Sequence, residues 1–212
     1  MNWVSQNMDL ALGLLLTHLS LAVPAIVLAV LVAVPLGWLA HRKRRVRGPL
    51  LTGVGLLYAV PSLALFILVP SLFGFSIRSS ANIIIVLAIY GVAILVRTCA
   101  DAFDAVPADV RQAADALGYS TWKRFWSVDL PLSVPVTMAG VRVVVVSTVS
   151  LVTVGSVIGV QSLGTLFTDG FQRGIIPEVL TGLVLTVLLA VAMDVLCVLI
   201  ERALTPWNRR RA

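Results

Sequence analysis

The 212-residue sequence predicts an all-α integral membrane protein of about five transmembrane helices. Three observations predict it. Hydrophobic residues make up 59% of the chain and charged residues 12%, where an ordinary soluble domain carries about 25% charged. The mean hydropathy is +1.01. The apolar residues gather in runs of about twenty, the length a helix needs to cross a bilayer core, with short basic runs at their borders. A soluble fold of this size buries only about 70% of the surface its chain exposes, too little for this composition. Lipid has to be the solvent.

The first span is predicted over residues 18–40, where the apolar run stops at His41, Arg42, Lys43, Arg44, Arg45 and Arg47. Leu10 to Leu16 is apolar too and reads as a short interfacial helix ahead of it. The second span is predicted over 50–73. Pro61 removes a backbone donor in its middle and Ser62 can satisfy a freed carbonyl, so a kink near the bilayer centre is expected. That kink serves either as a pathway hinge or only for helix packing. A turn through Gly74, Ser76, Arg78 and Asn82 leads to the third span, 83–97. A polar stretch rich in acidic residues follows, and then the fourth span over 132–160. The polar segment 161–178 precedes the fifth span, 179–200, and the chain closes on Glu201, Arg202 and the cluster Arg209, Arg210, Arg211.

Lys/Arg bias sets the expected orientation. With the first basic run inside, Arg97, Arg111, Lys123, Arg124, Arg202 and the Arg209–Arg211 cluster also fall inside, and only Arg78 and Arg173 fall outside. The N-terminus is therefore expected outside and the C-terminus inside, which an odd number of spans satisfies. The formal charge of +6 follows the same placement, beside apolar runs and facing anionic lipid, so nucleic acid is not expected as a partner. Cys99 and Cys197 have no metal-ligand spacing and read as small buried hydrophobes; His18 and His41 are isolated. Met1 to Asp9 lacks a basic leader region, so no cleaved signal peptide is expected.

The most informative segment is the loop 104–131, expected in the cytoplasm. Pro107 suits a first helical position and Asp109 the positive end of a helix. Val110, Ala113, Ala114 and Leu117 recur at helical spacing, and Gly118 suits a left-handed stop. Ser120 or Thr121 can cap a second helix with Trp122, Phe125 and Trp126 as an apolar stripe, which Pro131 is expected to end. Two amphipathic helices at a sharp turn suit the grip of a soluble partner; a pair lying passively on lipid is the alternative.

This stretch resembles the signature loop of binding-protein-dependent ABC importer permeases: Glu-Ala-Ala, three residues, Gly, nine residues, Ile, one residue, Leu-Pro. Here Gln112-Ala113-Ala114, Gly118, Val128 and Leu130-Pro131 keep every spacing. Val128 for Ile is conservative. Gln112 for Glu removes a charge but keeps a hydrogen-bonding group. The resemblance implies the type I ABC-importer (MetI-like) permease fold as a single domain over 1–212. It implies that the loop docks into a groove on ABC ATPase subunits through Gln112, Ala113, Ala114, Gly118, Tyr119, Trp122, Lys123, Leu130 and Pro131. It implies further partners: a second permease copy, identical or paralogous, and an extracytoplasmic solute-binding protein. The chain has no Gly-x-x-x-x-Gly-Lys-Ser/Thr run, so no cofactor and no catalysis are expected in it, with ATP and Mg²⁺ on the partner ATPase. A bacterial or archaeal plasma membrane is the expected location.

The resemblance runs along nearly the whole chain and is closest to osmoprotectant permeases, for glycine betaine, carnitine or choline. It is carried by Val34-Pro35-Leu36-Gly37, Val60-Pro61-Ser62-Leu63-Ala64-Leu65, Met138-Ala139-Gly140-Val141-Arg142 and Arg202-Ala203-Leu204-Thr205-Pro206. Permeases for amino acids or other small polar solutes share the loop. A quaternary ammonium is recognised by aromatic faces. Tyr58, Phe66 and Tyr90 lie in spans and can supply a transient cage beside the Pro61–Ser62 hinge, or simply face lipid and neighbouring helices. Arg142 and Asp194 are charges inside spans, expected to pair in the inner half of the membrane and to serve structure rather than substrate binding. Gly140, Gly155, Gly159, Gly164 and Gly182, with Ser147, Ser150 and Ser156, make small surfaces on the fourth and fifth spans. By the resemblance these meet the second permease. An ATP-independent channel and a non-transporting membrane scaffold are the rival readings.

Overall fold

Small residues recur along the first apolar run at steps of three and four: Ala22, Ala25, Ala29, Ala33, Gly37 and Ala40. Such a stripe lets helix backbones approach closely, a common way for helices to associate in lipid. The computed structural model describes residues 2–207. In chain order its helices are α1 (Asn2–Gln6), α2 (Met8–Arg42), α3 (Arg44–Ala59), α4 (Ser62–Phe73) and α5 (Ser80–Asp104). There follow α6 (Ala108–Ala116), α7 (Thr121–Arg124), a π-helical turn (Phe125–Asp129), α8 (Leu130–Val154), a 3₁₀ turn (Gly155–Ile158), α9 (Gly164–Arg173) and α10 (Ile176–Leu204).

The small stripe of α2 lies against α5, and this pair is the centre of the molecule. A Cβ on Gly37 would stand 2.4 Å from the Cys99 Cβ, and one on Gly91 2.5 Å from the Ala29 Cβ, so these crossings demand glycine. Ile83, Val86, Leu87, Tyr90 and Leu95 of α5 complete the main core with Val141, Val144 and Val145 of α8. A second, smaller core of Leu14, Val149, Leu163, Leu166 and Leu189 seats α9 and α10. Beside it the buried His18 ring donates from Nε2 to the Val149 carbonyl at 3.0 Å.

Among the described residues four helical rods are long and apolar enough to cross a membrane: α2, α5, the run Thr121–Ile158, and α10. The second predicted span is not one kinked helix. It is two, α3 and α4, meeting at 107°, and it counts as a fifth span only as a broken one. The cause is local. A residue before proline is pushed out of the helical region, and both Val60 (ψ 130) and Pro61 (ψ 134) are extended. Two consecutive extended residues turn a kink into a corner.

Other boundaries move as well. Leu10–Leu16 is no separate helix but the first turns of α2. The third span extends three residues earlier and seven later than predicted, over Ser80–Asp104, its start capped by the Ser79 side chain accepting from the Asn82 amide. The polar segment 161–178 holds α9, whose buried Leu166 and Gly170 show the helical spacing that its polar composition masked. Pro131 does not end a helix: α7, the π turn and α8 run on continuously. In the π turn the Leu130 amide donates to the Phe125 carbonyl, five residues back, and the missing Pro131 donor falls where the ladder changes register. The cluster Arg209–Arg211 lies outside the described residues.

The small-residue faces also resolve differently from expectation. A Cβ on Gly140 would meet Thr98 and Leu95 of α5, one on Gly155 Ile83, one on Gly164 the Thr153 carbonyl, and one on Gly182 Leu166. These glycines serve packing within the chain, while Ser147 and Ser150 point away from the core.

Candidate functional site

The loop between α5 and α8 folds into a knob. Pro107 precedes α6 as its cap rather than entering it, with extended ψ 138, and Asp109 sits in the first turn. The helix ends in a Schellman closure: Gly118 takes φ +76, its amide donates to Asp115, and the Tyr119 amide donates to Ala114. Ser120 then caps α7, its hydroxyl accepting from the Lys123 amide at 3.3 Å. Gly118 therefore separates the two helices as its left-handed preference predicts.

Charges fasten the knob from beneath. Asp129, only 2% exposed, accepts a 2.8 Å hydrogen bond from Arg111 Nε of α6. The same guanidinium donates to the Phe103 carbonyl at the end of α5. Arg124 of α7 grips Asp115 of α6 through 2.6 and 2.7 Å contacts and brings its Nε to 3.5 Å from Asp129. An aromatic stack continues the anchor: Phe125 lies 4.8 Å from the Trp38 ring of α2 and 6.0 Å from Phe103. Asp129 and Arg111 were not singled out in the sequence as site residues. Their signal, opposite charges eighteen positions apart across a turn, becomes readable only once the turn is known.

With those groups turned inward, the apolar stripes turn outward. Of the residues at helical spacing in the loop only Ala114 and Phe125 are buried. Leu117 is 76% exposed and Trp122 62%, and Val110, Ala113 and Trp126 are exposed as well. Gln112 and Lys123 share this outer surface, where the Lys123 ammonium lies 4.2 Å over the Tyr119 ring. Leu130 and Pro131 are half-buried at its base. Exposed apolar side chains gathered on one loop make a surface that a partner or a membrane interface covers.

Beside the knob, the corner between α2 and α3 carries a charged cavity of about 530 Å³ lined by His41, Arg44, Arg47, Asp104 and Arg111. His41 Nδ1 stands 2.5 Å from Asp104, which Arg47 also binds, and Arg47 reaches Asp101 at 2.8 Å.

At the α3–α4 corner the structure separates the aromatic residues that composition had grouped. Tyr58 and Tyr90 meet edge to face at 6.0 Å, and the Tyr90 hydroxyl donates to the Val60 carbonyl that the corner frees. Ser62 makes no side-chain hydrogen bond among the described residues, so the satisfaction expected of it comes from Tyr90 instead. Phe66 is fully buried in the core and lines no open surface. Its carbonyl lacks the helical donor that Pro70 cannot supply, and Asn82 Nδ2, also buried, donates to it at 2.9 Å. The two charges within spans meet: Arg142 Nε and Nη2 donate to the two Asp194 carboxylate oxygens, both at 2.7 Å.

Apolar helices of membrane-crossing length that carry a compact knob with exposed apolar side chains make a membrane protein with a surface outside its spans. The family model for the inner membrane component of binding-protein-dependent transport systems matches residues 25–210, and the chain belongs to that family. It is 31% identical over 212 residues to the osmoprotectant import permease protein OsmW of Salmonella typhimurium, covering 99% of this chain and 98% of that one. It is 28% identical over 189 residues to the glycine betaine/carnitine/choline transport system permease protein OpuCB of Bacillus subtilis, covering 89% and 86%. Its fold matches an inward-facing structure of the MetNI methionine ABC transporter with a TM-score of 0.82 at 19% identity, over 94% of this chain and 98% of that chain. The chain is thus the multi-pass plasma-membrane permease subunit of an ABC importer, a non-catalytic part of a system that also includes an ATPase and a solute-binding protein.

Proposed function

We propose that this permease imports osmoprotectants of the glycine betaine, carnitine or choline type and is moved by a partner ATPase through the knob of residues 104–131. The observation that carries the reading is the knob's construction: an exposed surface of Leu117, Trp122 and Trp126 on a unit that Arg111 and Asp129 tie to the spans. A force applied there reaches α8 directly, because α7 and α8 are one rod. In this reading the knob and the C-terminus face the cytoplasm and the N-terminus faces outward. Gln112, Ala113, Ala114, Gly118, Tyr119, Lys123, Leu130 and Pro131 complete the docking surface, and ATP and Mg²⁺ bind the ATPase alone. A second permease, identical or paralogous, completes the enclosure, with lipid around both.

The substrate class is supported by the names of the relatives, and the Pro61–Ser62 corner with Tyr58 and Tyr90 offers a hinge with aromatic faces for a passing ammonium group. The experiment is reconstitution in liposomes with the ATPase and binding protein, following labelled glycine betaine and methionine. ATP-driven uptake of the betaine in preference to methionine is expected; uptake without any ATPase would make this a channel and sink the proposal. Gly118→Asp adds its side chain to open space, with nothing within 4 Å of the new Cβ, and its φ of +76 adds about 1 kcal/mol of backbone strain, which aspartate tolerates better than most residues. It should abolish co-purification of the ATPase while the spans remain inserted.

A further inference from the structure

Leu180, Val184, Leu188, Val191, Val195 and Leu199 form one exposed, wholly aliphatic arc of α10, which suits lipid. The other flank meets α8 along a groove holding two cavities, of about 470 and 280 Å³, that Val146 lines in common. From the knob end outward this groove presents the Arg142–Asp194 pair, then Ser147, Ser150 and Thr153.

Neither the charges nor the hydroxyls fit a lipid-facing surface. Arg142 and Asp194 keep 41% and 27% of their side chains exposed, although Arg142 lies twelve residues past Leu130, roughly 18 Å along the helix. A charge at that depth costs at least about 2.5 kcal/mol in hydrocarbon, so such residues face protein or water. Of the groove's own hydroxyls, Thr153 and Thr186 donate to backbone carbonyls three and four residues back. Ser147 and Ser150 make no side-chain hydrogen bond among the described residues. Their donors are left for water or a solute.

We infer that the groove between α8 and α10 is this chain's wall of the solute pathway, and that the Arg142–Asp194 pair is where a small zwitterionic or cationic solute meets charge. The inference rests on the importer reading and adds to it a surface away from the aromatic corner. An ion pair offers both signs at once, so a zwitterion lying antiparallel to it finds a partner for each end, and a cation finds Asp194. The bidentate pairing keeps the site neutral when empty, which suits passage over retention.

The test places single cysteines in a Cys99→Ala/Cys197→Ala chain assembled with its ATPase and binding protein: Ser147→Cys and Ser150→Cys in the groove, Leu188→Cys and Val191→Cys on the aliphatic arc. The probe is a methanethiosulfonate reagent bearing a trimethylammonium group. Groove cysteines should react at least about tenfold faster than those on the arc, because the cationic reagent is excluded from lipid by more than the 1.4 kcal/mol that tenfold represents. Labelling at Ser147→Cys should also block uptake. Groove cysteines reacting no faster than Leu188→Cys would overturn the inference and make the groove a dry seam against a second copy or lipid. The two readings fail separately: uptake by the unlabelled complex tests the importer, and labelling of that same complex tests the groove.

Discussion

Asp129 is the charge on which the knob's rigidity turns. Its carboxylate is buried beneath both short helices, takes the Arg111 hydrogen bond, and has Arg124 as a second cation nearby. Removing one member of a buried pair strands the other, which costs more than the pair itself contributes. Asp129→Asn keeps the shape and removes the charge, so about 2 kcal/mol of local stability should be lost, allowing for the partial exposure of Arg111. The amides of α6 should then exchange hydrogen roughly thirtyfold faster while those of α5 stay unchanged. Unchanged exchange in α6 would mean that the aromatic stack on Trp38 alone holds the knob.

At the scale of elements, the π turn is the joint between the knob and the membrane. A π turn absorbs one residue more than the α turn it replaces, whereas a residue added to the regular ladder of α8 rotates everything before it by about 100°. An alanine inserted after Leu132, just past that turn, should leave α8 in the membrane but swing Trp122 and Leu117 away from the docking face. Co-purification with the ATPase should be lost although the protein reaches the membrane. Retained binding would show that the face tolerates any rotation, and the rod would not be the transmission. The π turn was invisible in the sequence, where Pro131 reads as a stop. Periodicity reports which residues are apolar, not whether a ladder bonds four or five residues back. The second span failed for a related reason: hydropathy over 50–73 is continuous, and only the paired extended conformations of Val60 and Pro61 reveal a corner. By contrast Gly118, the Ser120 cap and the loop spacing were legible, because left-handed stops and caps are local chemistry. Small residues were legible as close approach, but not their partner. Gly140 and Gly182 touch helices of their own chain, and nothing in a single sequence distinguishes that from a second subunit.

The whole molecule is asymmetric about its α2–α5 centre. α5 is largely covered, whereas α10 is almost entirely exposed along its most apolar stretch and α3 buries no residue at all. A single chain with this distribution has two surfaces still to cover, one by lipid and one by protein or water. Charge then decides which end is which. The basic residues at the α2–α3 corner and on the knob lie at one end, next to each other across the cavity of His41, Arg47 and Arg111. The turn holding Ser76 and Arg78 lies at the other end of α4 and α5, where Arg78 packs over Gly159. In the proposed orientation the basic end lies in the cytoplasm, so an impermeant thiol reagent applied to intact cells should label Ser76→Cys and leave Leu117→Cys untouched until the membrane is opened. Both side chains are exposed, so access to the compartment, not burial, determines the result. Labelling of Leu117→Cys in intact cells would put the knob on the outer face, beyond reach of any cytoplasmic ATPase, and the coupling assignment would fall with it.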